Sequence, residues 1–278
     1  MRILLFLCLF GCTLTGNVAE PLIPTEENLP MEAYFCPRED CLGVLQRFVN
    51  GSCAIYNSPK FQPLTLVTKD DRTSGLMHNK FCVFDGVVAT GSMNPTTSNM
   101  RQANNILVIH SNYVSKLYEH ELGELFAGEF GKGMPVQNPV IMLNNHTVKI
   151  RFCPEDNCKH AVLEALKKAN ASILYALSLI TDEDVVAMLE QKAQKIRVYG
   201  VHGEWGGRAS KAERLPNTKR RKVHHKFFVI DGEWVVAGSA NPSNAGYRKN
   251  DENVVIIHNP LLAKEYAAEV DYWHSLVT

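Results

Sequence analysis

One pattern constrains this chain more than any other, because it occurs twice. Met77-His78-Asn79-Lys80-Phe81-Cys82-Val83-Phe84-Asp85-Gly86 returns as His224-His225-Lys226-Phe227-Phe228-Val229-Ile230-Asp231-Gly232. Each copy reads His, any residue, Lys, four residues, Asp. Each is followed by Gly-Ser-x-Asn, as Gly91-Ser92-Met93-Asn94 and as Gly238-Ser239-Ala240-Asn241. An internal repeat of this kind decides the architecture, which must be two similar units. His78 and Lys80 are two residues apart, as are His224 and Lys226, so on a strand each pair shares a face. The residues after each Lys are mostly apolar and β-favouring, as a buried strand requires.

The doubled His-x-Lys-x4-Asp with its Gly-Ser-x-Asn tails resembles the signature of the phospholipase D superfamily. That resemblance implies an α/β fold of two similar lobes, each a mixed sheet flanked by helices. It implies a pseudo-twofold axis that brings the motif strands to one cleft, so that the monomer is its own pseudo-dimer. It also implies phosphodiester chemistry without a cofactor or a metal.

The rest of the chain repeats in step. Tyr34-Phe35-Cys36-Pro37 matches Arg151-Phe152-Cys153-Pro154, and Asn105-Ile106-Leu107-Val108-Ile109-His110 matches Asn253-Val254-Val255-Ile256-Ile257-His258. Helices are expected over 41–48, 158–169, 113–126 and 260–276, and strands over 52–56 and 172–176. A linker with Gly133 and Pro135 separates a first lobe, 30–135, from a second, 136–278. The second lobe carries an extra helix, opened by Thr181-Asp182-Glu183-Asp184. Matching cysteines (36 and 153) are 117 residues apart and matching histidines (78 and 224) are 146 apart, so the first lobe is 29 residues shorter. That shortening is expected to leave one face of its sheet partly uncovered.

Residues 1–19 read as a signal peptide: Arg2, a short apolar run, then small and polar residues. Leu9-Phe10-Gly11-Cys12 also fits a lipoprotein box that would make Cys12 a lipid anchor. An exported protein, extracellular or at the cell surface, is expected. Cys36/Cys41 and Cys153/Cys158 stand in the same Cys-Pro-x-x-x-Cys setting in both halves. A zinc site needs four ligands of Cys or His type, so local disulfides are the better reading. Cys53 and Cys82 either pair across strands or are buried thiols.

The resemblance assigns the chemistry to His78, Lys80, Asp85, Asn94, His224, Lys226, Asp231, Asn241 and Glu252. Lys80 and Lys226 would neutralise a phosphodiester, and Asn94 and Asn241 would add hydrogen bonds, with Ser92 and Ser239 as further contacts. One neutral histidine would attack phosphorus, and the other would act as general acid and base. Two identical motifs need different surroundings to do two jobs. Glu252 supplies the difference, since its counterpart in the first lobe is Asn104. Carried over from the family, Glu252 would hold Nδ1–H of His78, making His78 the nucleophile and His224 the acid and base. Asp85 and Asp231 follow the strands, where tying the turns together is the more natural task.

Formal charge balances, with 29 basic and 29 acidic residues, so any basic surface is local. Arg208, Lys211, Arg214, Lys219, Arg220, Arg221 and Lys222 lead into His224 and fit a track for a nucleic-acid backbone. Trp205 is a candidate for stacking on a base. A nuclease is therefore the preferred reading. The alternative is a phospholipase D acting on membrane phospholipids, although no long apolar insertion offers a rim for acyl chains. A silent binding module is the third reading, and the intact doublet argues against it.

Overall fold

The computed structural model describes residues 22–68, 74–205, 213–214 and 223–276. The leader over 1–19, Cys12, and the basic residues Lys219, Arg220, Arg221 and Lys222 lie outside them, and of Trp205 only the main chain is described.

The repeat is realised as two sheets. The first has six strands, in the order Met31–Cys36, Asn104–His110, Val87–Gly91, Lys80–Phe84, Ser52–Ile55, Thr65–Val67. The same order recurs within the nine-stranded second sheet as His146–Cys153, Glu252–His258, Trp234–Gly238, Lys226–Ile230, Ser172–Ile180, Arg197–Trp205. In both sheets the first five of these strands are antiparallel neighbours, and the sixth pairs parallel. Beyond His146–Cys153 the second sheet adds Val140–Leu143, and then Thr25–Glu26 alongside it in parallel. A strand preceding the first lobe thus belongs to the second sheet.

Two helices fill the space between the sheets. Asn112–Phe126 packs on Lys80–Phe84 and Val87–Gly91 of the first sheet and on His146–Cys153 of the second. Pro260–Ser275 packs on Met31–Cys36 of the first and on several strands of the second. Both start with a satisfied cap. The Ser111 hydroxyl accepts from the Val114 amide, and Asn259 Oδ1 accepts from the Leu261 and Leu262 amides, with Pro260 in the first turn. Their buried faces are the same face read twice, Val114, Tyr118, Leu122 and Leu125 against Leu262, Tyr266, Val270 and Trp273. These side chains join both sheets in one central core.

The outer faces differ. Cys158–Lys167 and Glu183–Ala193 cover the second sheet, whereas among the described residues the short Cys41–Gln46 is the one α-helix over the outer face of the first. The face expected to stand open is partly filled by Phe61, 3% exposed, which packs in the cluster that holds Leu45 and Ile55. Both expected disulfides form, Cys36–Cys41 and Cys153–Cys158. Cys53 and Cys82 are direct cross-strand partners with Cα atoms 4.1 Å apart, and they also form a disulfide.

Candidate active site

Each motif histidine stands just before its strand, where the lobes meet, and is fixed by the main chain of the opposite lobe. The His78 amide donates to the Asp251 carbonyl (2.9 Å), and the Asp251 amide donates to the Leu76 carbonyl (2.9 Å). The His224 amide donates to the Ala103 carbonyl (2.8 Å). Met77 and Asp251 form one parallel bridge, Ala103 and Val223 the other.

Side chains cross the same seam. His78 Nδ1 donates to Glu252 Oε1 (2.7 Å), leaving Nε2 with its lone pair. Glu252 is fully buried and accepts two further bonds, from Ser239 Oγ (2.6 Å) and Asn250 Nδ2 (3.1 Å). His224 Nδ1 meets Asn104 Oδ1 (2.8 Å) and the Ser92 carbonyl (3.0 Å). Asn104 is held in that orientation because its Nδ2 donates to the Asn99 and Gln102 carbonyls. The two nearest partners of His224 Nδ1 are acceptors, closer than the third neighbour, Lys226 Nζ (3.4 Å), so this nitrogen also carries the proton. The two imidazoles therefore share a tautomer, and one faces a carboxylate where the other faces a neutral amide.

The lysines are positioned by their own motifs. Lys80 Nζ donates to the His78 carbonyl (2.7 Å), and Lys226 Nζ to the His224 carbonyl (2.8 Å). Burial lowers Lys80 to about 7, against the opposing pull of Glu252. Burial is also the main cause that lowers His78; Glu252 counteracts it, while Lys80 and Lys226 add to it. A neutral imidazole beside Lys226 and the protonated form of Lys80 is equipped to attack an anionic phosphorus centre. Asn94 and Asn241 each carry a buried Oδ1 with no hydrogen-bond partner among the described residues, so that polar capacity is not spent on the fold.

Four expected site residues stand elsewhere. Ser92 and Ser239 are fully buried, so they do not meet a substrate directly. Their hydroxyls donate to Asn104 Oδ1 and Glu252 Oε2 and accept from the Asn105 and Asn253 amides, which holds the partners of the histidines in place. Gly91 and Gly238 permit this packing, since a Cβ at either would come within 2.2 Å of a carbonyl oxygen. Asp85 and Asp231 lie at the far ends of the motif strands, about 17 Å from the lysines for five extended residues. They make turns: both have positive φ, as do Gly86 and Gly232 after them. Asp231 also accepts from the amides of Asn170, Ala171 and Ser172; burial opposes ionisation there, but these donors hold its carboxyl below the usual range.

The residue between His and Lys in each motif turns inward to a buried glutamate. Asn79 donates to Glu121 Oε1 (3.2 Å), and His225 Nε2 meets Glu269 Oε1 (2.9 Å). The signal for both was present in the repeat, because Glu121 and Glu269 each lie 11 residues after the matching His110 and His258, on an otherwise apolar helix face. The surroundings then diverge. Glu269 is paired with Arg38, whereas the residue matching Arg38 in the second Cys-Pro-x-x-x-Cys is Glu155. Burial, then Glu155, Asp251 and Glu124, push the Glu121 carboxyl well up. Glu121, Glu124 and Glu155 bring carboxylate oxygens within 4.8 Å of one another, the one such acidic or metal-type group among the described residues.

Tyr56 is a further residue at the site without an equivalent in the other lobe. Its ring centre is 5.1 Å from that of His78, Lys80 Nζ is 5.7 Å from it, and it is 36% exposed. Register places Ser178 at the matching point of the second sheet, since Ile55 pairs with Lys80 and Leu177 with Lys226.

The family profile described as "Cardiolipin synthase, PLD-like domain" matches residues 35–126 and 162–273, most of both lobes. This chain belongs to the phospholipase D superfamily. A curated relative, phospholipase D of Rickettsia typhi, is 25% identical over 135 residues, covering 45% of this chain and 66% of the relative. Among solved structures, the phospholipase D family member Nuc of Salmonella typhimurium is 28% identical, covering 47% of this chain and 93% of that one, with a TM-score of 0.38. Phosphatidylserine synthase of Haemophilus influenzae is 11% identical over 77% of this chain and 65% of that one, with a TM-score of 0.55, a likeness of fold.

Proposed function

We propose that this protein is a phosphodiesterase that needs no metal, works through a phosphohistidine, and acts on nucleic acid. The observation that carries the reading is the unequal pairing of the two histidines, Glu252 on His78 and Asn104 on His224. With His224 starting as the imidazolium, His78 Nε2 forms a bond to phosphorus as the bond to the leaving oxygen breaks, and that oxygen takes the proton from His224 Nε2. The now neutral His224 then removes a proton from water, whose oxygen displaces His78, restoring neutral His78 and the His224 imidazolium. Lys80 and Lys226 balance the charge that develops on phosphorus. Three disulfides fit an oxidising compartment and hence export, and no helix among the described residues is long and apolar enough to cross a membrane.

Support for nucleic acid comes from the basic run that leads into His224 and from the half-exposed Tyr56 ring beside His78, placed where a base could stack. A phospholipid substrate is the second reading, favoured by the name of the Rickettsia relative. Single-stranded DNA, RNA, duplex DNA and phosphatidylcholine vesicles, offered side by side with excess EDTA, separate the two. Cleavage of single strands is expected first. Neutralising Lys219, Arg220, Arg221 and Lys222 should flatten the salt dependence of binding by about 0.7 in slope for each phosphate that no longer has a cation beside it. Choline release without nucleic-acid cleavage would replace the nuclease reading with the phospholipase one, and loss of all activity in EDTA would end the metal-free mechanism.

A further inference from the structure

Consecutive side chains of an extended segment point to opposite faces, so two neighbours on one strand can reach two neighbours on another, one pair on each face. The seam between the lobes is fastened in this way. Glu252 takes Nδ1 of His78 (2.7 Å), and the next residue, Asn253, donates through Nδ2 to Oδ1 of Asn79 (3.0 Å). The second lobe repeats the arrangement: Asn104 meets His224 (2.8 Å), and Asn105 Oδ1 meets Nδ1 of His225 (3.3 Å). With the bond from the His78 amide to the Asp251 carbonyl, residues 78 and 79 are held by 251–253 through the main chain and on both faces.

The inner amide pair is itself fixed. Asn79 and Asn253 are both fully buried. Asn79 Nδ2 donates to Glu121 Oε1 (3.2 Å), and Asn253 Oδ1 accepts from Thr90 Oγ1 (2.6 Å) and the Tyr118 hydroxyl (3.3 Å). Tyr118 and Glu121 belong to the central helix Asn112–Phe126. Asn253 Nδ2 also lies 3.4 Å from Ser239 Oγ, the hydroxyl that donates to Glu252. A buried network with its partners in place is stiff. It ties the helix to the main chain from which the His78 ring hangs, and through Ser239 to the carboxylate that holds the ring. A bond at Nδ1 alone would let the ring pivot on that contact and swing the attacking Nε2. Misplacing a reacting atom by about 1 Å costs up to about 100-fold.

We propose that Asn79 and Asn253 are positioning residues for the attack on phosphorus, holding His78 in line with Glu252 from the inner face of the seam. This rests on the phosphohistidine reading above, with His78 as the attacking group. The repeat shows what else fits at position 79. His225 makes the matching contacts, with Asn105 and with Glu269 Oε1 (2.9 Å), and its ring stands beside Phe227 (5.1 Å between centres). Phe35, Phe227 and Tyr266 match Phe152, Phe81 and Tyr118 of the other half. Ring centres are 5.1 and 4.8 Å from Tyr266 in the first set, and 5.0 and 4.9 Å from Tyr118 in the second. The same aromatic frame therefore stands at both places, and an imidazole at 79 spans from Asn253 to Glu121 where a serine spans to neither.

The test is the nitrophenol burst from a nitrophenyl phosphodiester, measured on the full chain by rapid quench. The burst rate constant reports adduct formation in folded molecules alone, so a variant that is merely less stable loses amplitude and keeps its rate. Asn79→Ser is expected to slow the burst about tenfold or more. Asn79→His should recover it to within about threefold of wild type. Thr90→Val removes a donor to Asn253 at the far end of the network and should slow the same step severalfold, a second variant should Asn79→Ser not fold. In a Glu252→Gln background Asn79→Ser should cost less than it does alone, because a weaker bond is left to align. A wild-type burst rate in Asn79→Ser, or in Thr90→Val if that is the variant that folds, would overturn the inference. So would Asn79→His no faster than Asn79→Ser, or an equal cost in both backgrounds. A wild type that hydrolyses the diester with no phosphate on His78 sinks the phosphohistidine reading and this inference with it; phosphate on His78 together with unchanged bursts in the variants sinks this inference alone.

Discussion

Glu252→Gln is the most informative substitution, because the structure states what it removes. Three donors converge on this fully buried carboxylate: His78 Nδ1–H, Ser239 Oγ–H and Asn250 Nδ2–H. Glutamine keeps one acceptor and turns the other oxygen into a donor; with its oxygen toward His78 and Asn250 the new NH2 meets the Ser239 hydroxyl, which can turn to accept, so the bond to His78 survives but loses its charged acceptor. A hydrogen bond to a charged group contributes about 1.5–3 kcal/mol and a neutral one about 0.5–1.5, a difference of about 1–2 kcal/mol. Applied to the attacking step, that is a loss of about 5- to 30-fold in adduct formation. The pH dependence should move as well. Glu252 raises both His78 and Lys80 against burial, and Lys80 already stands at about 7. Without the carboxylate both groups fall further. With nitrophenol as leaving group, which departs without a proton from His224, attack needs His78 neutral and Lys80 charged, so both limbs of the kcat/KM profile should shift to lower pH. The variant then loses more activity at pH 8 than at pH 6. Rapid-quench measurement of the nitrophenol burst across that range tests this; an alkaline limb that stays in place, or a variant slowed only in adduct breakdown, refutes the role given to Glu252.

Three other outcomes follow from the same geometry. With His224→Asn, a nitrophenyl phosphodiester should leave phosphate trapped on His78, detectable by peptide mapping, and phosphate on His224 in the reciprocal variant alone would reverse the roles. Lys80→Met should abolish activity and raise the melting temperature: with a folded value of about 7 against 10.5, the unfolded chain binds the extra proton between those limits, so the gain is full below pH 7 and fades as pH rises to about 10.5; a variant less stable at pH 6 contradicts this. Removing Cys53–Cys82, which closes a separation of 29 residues, should cost about 3–4 kcal/mol in denaturant unfolding against about 2 for either short-range disulfide, and equal losses would count against the chain-entropy account.

Much of the site was legible because a repeat compares a sequence with itself. The mismatch between Glu252 and Asn104 pointed to the unequal histidines, and Glu252 and Asn104 stand on His78 and His224 respectively. The strands were legible because each motif is a buried apolar run ending in a hairpin turn. Contacts between distant positions with no matching pattern were not. Nothing local ties Thr25–Glu26 to the second sheet, which depends on how the lobes face each other, or Tyr56 to His78, which depends on the register of two strands of the first sheet. Ser92 and Ser239 look like ligand groups in sequence because a hydroxyl after glycine suits a substrate as well as a buried network; only burial separates the two. Asp85 and Asp231 belong to the signature, yet they shape the hairpins that aim the strands.

Beside the side-chain bonds, the seam at the histidines has a main-chain part, from Leu76 and His78 to Asp251 and from Ala103 to His224. No substitution short of proline deletes those bonds, and neither lobe can swing away without breaking them. Reactants must therefore come and go over the rim of a closed frame, not through a hinge. Catalytic competence then reports on the whole molecule: heating or denaturant should extinguish turnover in step with global unfolding, and two separately produced halves should work only after they have found each other.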